Sequence, residues 1–299
     1  VKPRIKNDAV VFEDNGLTDE RLREIEHIHI IGCGSALHAG MVGKRVIEAM
    51  CRIRCTAEVA SEFRYENPII GKKDMCIVIS QSGETADTLA AMRLAKQAGA
   101  FTIAIVNVVS STIAREADGV LYTWAGPEIS VATTKAYSAQ LSALYLISVK
   151  IARVRGLISI GDERALCAEL QRLPECIEQT LGCQSDMQRI ATLYANRSSV
   201  FFLGRGLDYA AALEASLKLK EISYIHSEAY AAGELKHGTI SLIEEGTLVV
   251  ALATQPALFE KTVSNIREVV ARGASVVLVT TDDFTGDESV CQHIVRLPK

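Results

Sequence analysis

Short apolar runs alternate with helical segments along the first half of the chain. The runs are of strand length, and the predicted strands cover residues 28–31, 54–59, 75–79, 101–106 and 119–124. Helices are predicted between and after them, at residues 37–49, in the Ala- and Leu-rich segment that follows residue 85, at 111–116, and from the early 130s to about 155. Such an alternation is typical of an α/β fold with a doubly wound, mostly parallel sheet.

The second half of the chain repeats this pattern. Residues 200–206 form an apolar run that ends in Gly-x-Gly, as residues 28–34 do, and further strand, helix and strand segments follow at 248–254, 257–272 and 275–280. Two copies of one fold unit explain this self-similarity. We therefore predict a lead-in at 1–26, a first domain at 27–158, a helical bridge at 159–197 with a break at Pro174, and a second domain at 198–299.

The turn after the third predicted strand has the composition of an anion site. Ser80, Gln81, Ser82 and Thr85 offer side-chain donors, and Gly83 allows the backbone to approach a ligand closely. A strand-to-helix turn also aims free backbone N–H groups and the positive end of a helix dipole at one point. The turn contains no lysine, so it is not a Walker nucleotide loop. A Ser- or Thr-capped helix start is the alternative interpretation.

The matching turn of the second copy lacks these groups. It reads Ala253-Thr254-Gln255-Pro256, in which the hydroxyl cluster is missing and the proline removes a backbone donor. The second copy is therefore not expected to hold a phosphate in the same way.

Titratable residues concentrate in the second half instead, between residues 217 and 238. Lys218 and Glu221 are three residues apart on one predicted helix face, so their side chains can interact. A glutamate near a lysine could move a proton between adjacent sugar carbons, and His237 beside Gly238 could move the ring-oxygen proton. A solvated, charged helix face is the alternative.

The composition bears on whether the protein binds nucleic acid, metal or membrane. The formal net charge of −4 argues against a nucleic-acid surface, which normally carries a basic excess. The eight cysteines show no metal-ligand spacing and are interpreted as small apolar residues of a reduced, cytoplasmic protein. Neither a signal sequence nor an apolar run of membrane-spanning length is present, so no membrane association is expected.

Residues 80–88, Ser-Gln-Ser-Gly-Glu-Thr-Ala-Asp-Thr, resemble the phosphosugar-binding signature of the sugar isomerase (SIS) domain in glucosamine-6-phosphate synthases, and residues 217–238 resemble the isomerase segment of that family. The resemblance covers about residues 20–299 and implies two tandem three-layer αβα SIS domains. It implies fructose 6-phosphate and glucosamine 6-phosphate as ligands and no metal or organic cofactor. It also implies a homodimer whose subunits share the active site.

The resemblance assigns roles residue by residue. Ser80, Gln81, Ser82 and Thr85 would hold the phosphate, and the backbone and side chains near Val131 would line the sugar pocket. The family's first loop carries Thr-Ser after Cys-Gly; here Ser35 keeps one hydroxyl and Ala36 lacks the other. The implied catalytic residues are Glu221 as proton-transfer base, Lys218 as supporting lysine and His237, from the neighbouring subunit, as ring-opening group.

Other features of the family have no counterpart here. The chain has no glutaminase domain with an N-terminal cysteine, and no C-terminal tail with a Schiff-base lysine, so we expect phosphohexose binding with poor nitrogen transfer. His27, His29 and His293 match no catalytic position and are interpreted as structural. Two alternatives stay open, a SIS-type sugar-phosphate deaminase or deglycase and a non-catalytic sugar-phosphate sensor.

Overall fold

The computed structural model describes residues 1–13 and 15–298, which form two compact units. The first unit comprises residues 1–171 and the second begins at residue 172. The first unit opens with a 3₁₀ turn at Lys2–Arg4 and a small antiparallel hairpin. The strands of this unit are β1 (Ile5–Lys6), β2 (Ala9–Val10), β3 (His27–Gly32), β4 (Arg54–Val59), β5 (Asp74–Ser80), β6 (Phe101–Val106) and β7 (Gly119–Tyr122).

Helices cover both faces of the first large sheet. They are α1 (Asp19–Glu24), α2 (Ser35–Cys51), α3 (Ala60–Phe63), α4 (Ala86–Gln97), α5 (Thr112–Glu116) and α6 (Lys135–Val154). Buried side chains of α2 and α6 pack on one face, for example Ile47 and Ile147, whereas those of α3, α4 and α5 pack on the other. The result is three layers, with the sheet between two layers of helices.

The first sheet is parallel throughout, in the order β4-β3-β5-β6-β7. Its central strands are completely buried, as Ile77 and Ile103 illustrate. Since both faces of these strands are covered, their residues are apolar in continuous runs rather than in alternation. The strand order reverses between β3 and β5, because the chain moves from β3 outward to β4 and then back across to β5.

The second unit repeats this architecture. Its elements are α8 (Gln184–Tyr194), β8 (Ser199–Gly204), α9 (Leu207–Ser223), β9 (His226–Ala231), β10 (Leu248–Ala253), α10 (Phe259–Val270), β11 (Ser275–Thr281) and β12 (His293–Leu297). Short 3₁₀ helices lie at Leu235–His237, Thr239–Leu242, Pro256–Leu258 and Glu288–Val290. The parallel sheet has the order β9-β8-β10-β11-β12, with α8 and α9 on one face and α10 on the other.

The duplication extends to local geometry. The helix that follows the first strand of each parallel sheet, α2 or α9, has 17 residues. Each starts after a glycine of nearly identical conformation, Gly34 with φ 55° and ψ −126° and Gly206 with φ 59° and ψ −124°. Both helices end at a residue in the left-handed region, Arg52 and Tyr224. The predicted fold class, two α/β units each with a doubly wound parallel sheet, is confirmed.

The expected break at Pro174 is wrong. Helix α7 runs from Ile160 to Leu181 and includes Pro174. A proline removes one backbone donor and disfavours a helix interior, but the good helix formers on both sides supply the remaining hydrogen bonds. Within the described residues, none of the helices combines the length and the apolar character needed to cross a bilayer.

Candidate functional site

Two loops meet where the order of the first sheet reverses. Strands β3 and β5 are parallel neighbours, so their carboxyl ends lie at the same edge, and the loops before α2 and α4 begin there. In open α/β sheets this reversal point is where ligands bind. The position favours a ligand site at residues 33–36 and 80–85.

The turn at residues 80–85 is held by its own hydroxyl groups. The backbone N–H of Gly83 donates to Ser80 Oγ at 3.0 Å, and Ser80 Oγ and Thr85 Oγ1 are 2.9 Å apart. The N–H of Glu84 donates to Ser82 Oγ at 3.2 Å. Gly83 has φ +68°, and a Cβ at that position would overlap Ser111 Oγ. Only glycine therefore fits the turn without displacing its neighbours.

The helix that follows is left uncapped by this arrangement. Thr85 is the N-cap residue of α4, yet no side chain among the described residues caps the helix, and the Thr85 hydroxyl is bonded to Ser80 instead. Gly34, the N-cap of α2, has no side chain to offer. Two helix N-termini thus present backbone N–H groups to one region, which is an arrangement that stabilises an anion.

A cavity of about 190 Å³ lies between these loops. Ser80 is buried there, while Gln81, Ser82 and Thr85 are half-buried, so their polar groups are accessible to a ligand. Ser35 and Ala36 also line the cavity, and Ala36 offers no hydroxyl group to a ligand. The full lining is Cys33, Ser35, Ala36, Ile79, Ser80, Gln81, Ser82, Thr85, Thr133 and Gln140. Five of the six predicted substrate-binding residues therefore surround one cavity.

Gln140 is a lining residue that sequence reasoning missed. It lies on α6, its side chain is 3% exposed, and Oε1 has no hydrogen-bond partner in the described part of the chain. A buried amide oxygen without a partner costs free energy, and a ligand hydroxyl could supply the missing donor. No local pattern singles out Gln140, because it lies between Ser138 and Ser142 and is one of several polar residues in a long, mostly apolar helix.

The segment before α6 supplies the hydrogen bonds at the start of that helix. Thr133 Oγ1 donates to Glu128 Oε1 at 2.7 Å, and Glu128 Oε1 also accepts the N–H of Ala136 at 3.0 Å. Glu128, rather than Thr133, therefore satisfies the helix start. Val131 is outside the cavity lining and 93% exposed, so its role in sugar binding stays a prediction.

In the second unit, Lys218 lies between two carboxylates on α9. Its Nζ pairs with Glu221 Oε2 and is 3.5 Å from Glu214 Oε1. The side chains of Lys218, Glu214 and Glu221 are 18%, 9% and 28% exposed, so the cluster is shielded but Glu221 remains accessible. Glu214 was missed, although its four-residue spacing from Lys218 is a recognisable signal.

His237 ends the 3₁₀ helix Leu235–His237 and is exposed. Its backbone N–H donates to Glu234 O at 2.9 Å, and Gly238 follows with φ 136°. The chain turns directly after His237. The proton-transfer role of His237 stays a prediction.

The second unit's counterpart of the phosphate turn is filled by the protein itself. The buried carboxylate of Asp208, in the first turn of α9, accepts the backbone N–H and the hydroxyl of Thr254. Gln255 Nε2 donates to Arg205 O at 2.7 Å, and the Gln255 side chain packs against Gly206. An internal carboxylate thus occupies the helix N-terminus where the first unit keeps a cavity.

A larger hollow of about 560 Å³ lies at the opposite edge of the first sheet, near the start of β6. Two of its three lining cations are engaged: Lys96 Nζ is 2.7 Å from Asp118 Oδ1, and the Arg21 guanidinium lies 3.9 Å from the Phe101 ring centre. The smaller cavity at residues 80–85 is the better candidate for an anion site, because helix N-termini and hydroxyl groups face it.

A model of the SIS domain family matches residues 21–150 and 193–298. The glutamine–fructose-6-phosphate aminotransferase (isomerizing) of Caldanaerobacter subterraneus subsp. tengcongensis is 54% identical over 299 residues, which is 100% of this chain and 49% of that protein. The enzyme of the same name from Clostridium tetani is 53% identical over 283 residues, 95% of this chain and 46% of that protein. The chain spans about half the length of the curated relatives it matches.

Solved structures show the same similarity. The C-terminal domain of glucosamine-fructose-6-phosphate aminotransferase from Francisella tularensis superposes with a TM-score of 0.95 at 34% identity, over 99% of this chain and 84% of that one. A glucosamine-6-phosphate deaminase from Thermotoga maritima has a TM-score of 0.72 at 23% identity, over 94% of this chain and 82% of that one, and shares the fold.

Proposed function

Because this chain belongs to the SIS domain family, we propose that it binds a hexose phosphate and interconverts its ketose and aldose forms. The observation that carries the proposal is the cavity at residues 80–85. Hydroxyl and amide donors of Ser80, Gln81 and Ser82 and the N-termini of two helices converge there without a lysine or arginine in the lining. Such neutral donors suit a phosphate monoester.

The proposed chemistry is proton transfer between neighbouring carbons. The carboxylate of Glu221 removes a proton from C1 of the open keto sugar, and the C–H electrons form the C1=C2 bond of an enediol while O2 takes up a proton. Glu221 then returns its proton to C2, and O1 loses its proton as the C1 carbonyl of the aldose forms, so that the net change is one proton moved from C1 to C2 and one from O1 to O2. Lys218 pairs with Glu221 and orients its carboxylate for the transfer. His237 is proposed to move the ring-oxygen proton when the sugar opens.

The relatives' names support fructose 6-phosphate as the substrate. We propose that this chain is the isomerase portion of a glutamine-dependent fructose-6-phosphate aminotransferase, in which nitrogen from glutamine enters the sugar before isomerisation. We also propose a cytoplasmic homodimer. All eight cysteines are free thiols, which suits a reducing compartment, and Ile129 and Val131 are each 93% exposed, which suits burial against a second copy. Light scattering would give the oligomeric state.

Calorimetry with fructose 6-phosphate, glucosamine 6-phosphate and inorganic phosphate tests binding. We expect Ser82→Ala to lower the affinity for each of the three ligands about tenfold, because it removes a hydrogen bond to a charged group. Ser142→Ala, at a half-buried serine of α6 outside the cavity lining, is the matched control and should bind as the wild type does. Unchanged affinity in Ser82→Ala would contradict the phosphate site.

Proton exchange tests the chemistry separately from binding. In D₂O, wild-type chain should wash deuterium into the C1–C2 region of the sugar phosphate, and Glu221→Gln should exchange at least a hundredfold more slowly with unchanged binding. Glu234→Gln, at an exposed glutamate of the same segment, is the control. Binding without exchange in the wild type would instead favour a sugar-phosphate sensor.

A further inference from the structure

A cluster of histidine and carboxylate side chains lies at the amino ends of β3 and β5. His27 and His29 are two residues apart on β3 and therefore point to the same face of the sheet. Asp74, the first residue of β5, is the direct cross-strand neighbour of His27. One ligand atom from each of the three residues lies within 4.8 Å of the others. The cluster is at the opposite end of these strands from the cavity at residues 80–85.

The orientation of His29 is fixed by a carboxylate. Its Nδ1 is 3.2 Å from Glu58 Oε1 and 3.1 Å from Thr56 Oγ1. The Glu58 carboxylate oxygen lies where it can accept a proton carried on His29 Nδ1. A proton held on Nδ1 leaves the lone pair on Nε2. In many metal sites a carboxylate accepts a hydrogen bond from the histidine that binds the metal. This carboxylate sets the tautomer and the ring orientation of the histidine.

Both free nitrogens of the cluster are buried. His29 Nε2 and His27 Nε2 have no hydrogen-bond partner within residues 1–13 and 15–298. The His29 side chain is 5% exposed, and Asp74 Oδ2 is 3.9 Å from its Nε2, beyond hydrogen-bond length. Buried polar atoms without partners are rare, and each needs an explanation such as an ion.

We propose that His27 Nε2, His29 Nε2 and the Asp74 carboxylate bind a divalent transition-metal ion of the Zn²⁺ type. Two imidazoles and one carboxylate suit Zn²⁺ and its neighbours, whereas Mg²⁺ and Ca²⁺ prefer all-oxygen sites. An ion bonded to all three atoms at about 2 Å would draw them closer together and satisfy both orphaned nitrogens.

The surroundings are compatible with a cation. Asp74 and Glu58 carry two negative charges near the site and Arg54 one positive charge. Phe63 lies edge-on to the His29 ring, with 6.0 Å between the ring centres, and closes one side with an apolar group.

Cys76 is not counted as a ligand. It is the cross-strand neighbour of His29, but burial raises the pKa of its thiol, and metals bind the thiolate. The ion would have three protein ligands and would join β3 to β5. Because it lies at the far edge of the sheet from the sugar-phosphate cavity, its effect is on the stability of the first unit.

The test uses the full chain, stripped with a chelator and titrated with Zn²⁺ in a calorimeter. We expect one equivalent per chain by elemental analysis and a rise in the thermal midpoint on binding. His27→Gln and Asp74→Asn should each lower the affinity at least tenfold. His293→Gln, at the first residue of β12, should bind as the wild type does.

Circular dichroism shows whether the variants are folded. If they are not, nitrogen-detected NMR of the wild-type histidines replaces them, and Zn²⁺ should shift the Nε2 signals of His27 and His29 but not those of His293. Zn²⁺ binding that persists in both variants, or histidine signals that do not move, would overturn the proposal. The cluster would then be a hydrogen-bonded group of histidine and carboxylate side chains that holds no metal.

Discussion

Ser80 and Ser82 contribute differently to the same turn. Ser80 is 3% exposed and accepts the N–H of buried Gly83, while its Oγ also meets Thr85 Oγ1. Ser82 is half-buried and accepts only the N–H of exposed Glu84. Ser80 therefore holds the shape of the turn, whereas the Ser82 hydroxyl is available to a ligand.

We expect Ser80→Ala to lower the free energy of unfolding by about 1–2 kcal/mol, because it leaves the buried Gly83 N–H without an acceptor. Ser82→Ala should change it by less than about 0.5 kcal/mol, since its partner can bond water. Urea denaturation of both variants measures the difference. Equal stability of the two variants would contradict the structural role assigned to Ser80.

The strand-to-helix turns of the two units differ in what lies beside the helix N-terminus. In the first unit the helix N-terminus faces a cavity lined by hydroxyls. In the second, the Asp208 carboxylate lies in the first turn of α9, close to the positive end of the helix dipole, and binds Thr254. The internal carboxylate takes the position that an external anion would need.

We expect Asp208→Ala to destabilise the second unit by about 1–3 kcal/mol, because the Thr254 N–H and hydroxyl lose their acceptor. Sugar-phosphate binding should stay unchanged, because the proposed ligand site is at residues 80–85. Urea denaturation and calorimetry on the same sample measure both. Asp208→Asn retains one acceptor oxygen and should recover part of the loss; a full loss in Asp208→Asn would show that charge alone matters.

At the scale of the whole molecule, the two copies of the fold differ at the proposed ligand site. We expect one hexose phosphate per chain in calorimetry, because the first copy places the hydroxyl turn beside a cavity, whereas the second places the Asp208 carboxylate at the matching turn. Ser82→Ala should weaken this single binding event. A second equivalent that survives in Ser82→Ala would mean that the second copy also binds the ligand.

Acid stability is a second property of the whole molecule. Hydrogen bonds from Ser289, and then Arg267, lower the pKa of Asp287 to about 2, against about 3.9 for an unfolded aspartate. A depressed carboxyl pKa stabilises the folded state above about pH 4, and this contribution disappears as the pH falls to 2. The hydrogen bond from Arg93 likewise lowers the pKa of Glu116.

Asp287→Asn should therefore destabilise the chain more at pH 6 than at pH 3. Urea midpoints at the two pH values measure the effect, and Asp282→Asn, at an exposed aspartate nearby, is the control. A loss of stability in Asp287→Asn that is the same at both pH values would show that the carboxyl charge is not responsible.

The sequence by itself determined the strands, the duplication and the hydroxyl-rich turn. Strands buried on both faces need continuous apolar runs, and residues 75–79 and 101–106 are such runs, so their positions follow from local composition. The turn at residues 80–85 was predictable for the same reason, because its donors are neighbours in the chain. The Lys218–Glu221 pair follows from helical spacing.

Only the tertiary structure decided which distant residues meet. Gln140 faces a cavity lined by residues some sixty positions earlier, and Asp74 joins His27 and His29 through strand pairing. Strand order and cross-strand register depend on how whole elements pack, and no local pattern of apolar and polar residues specifies them. The same limit explains Pro174, where the hydrogen bonds of the surrounding helix outweigh a local preference for a break.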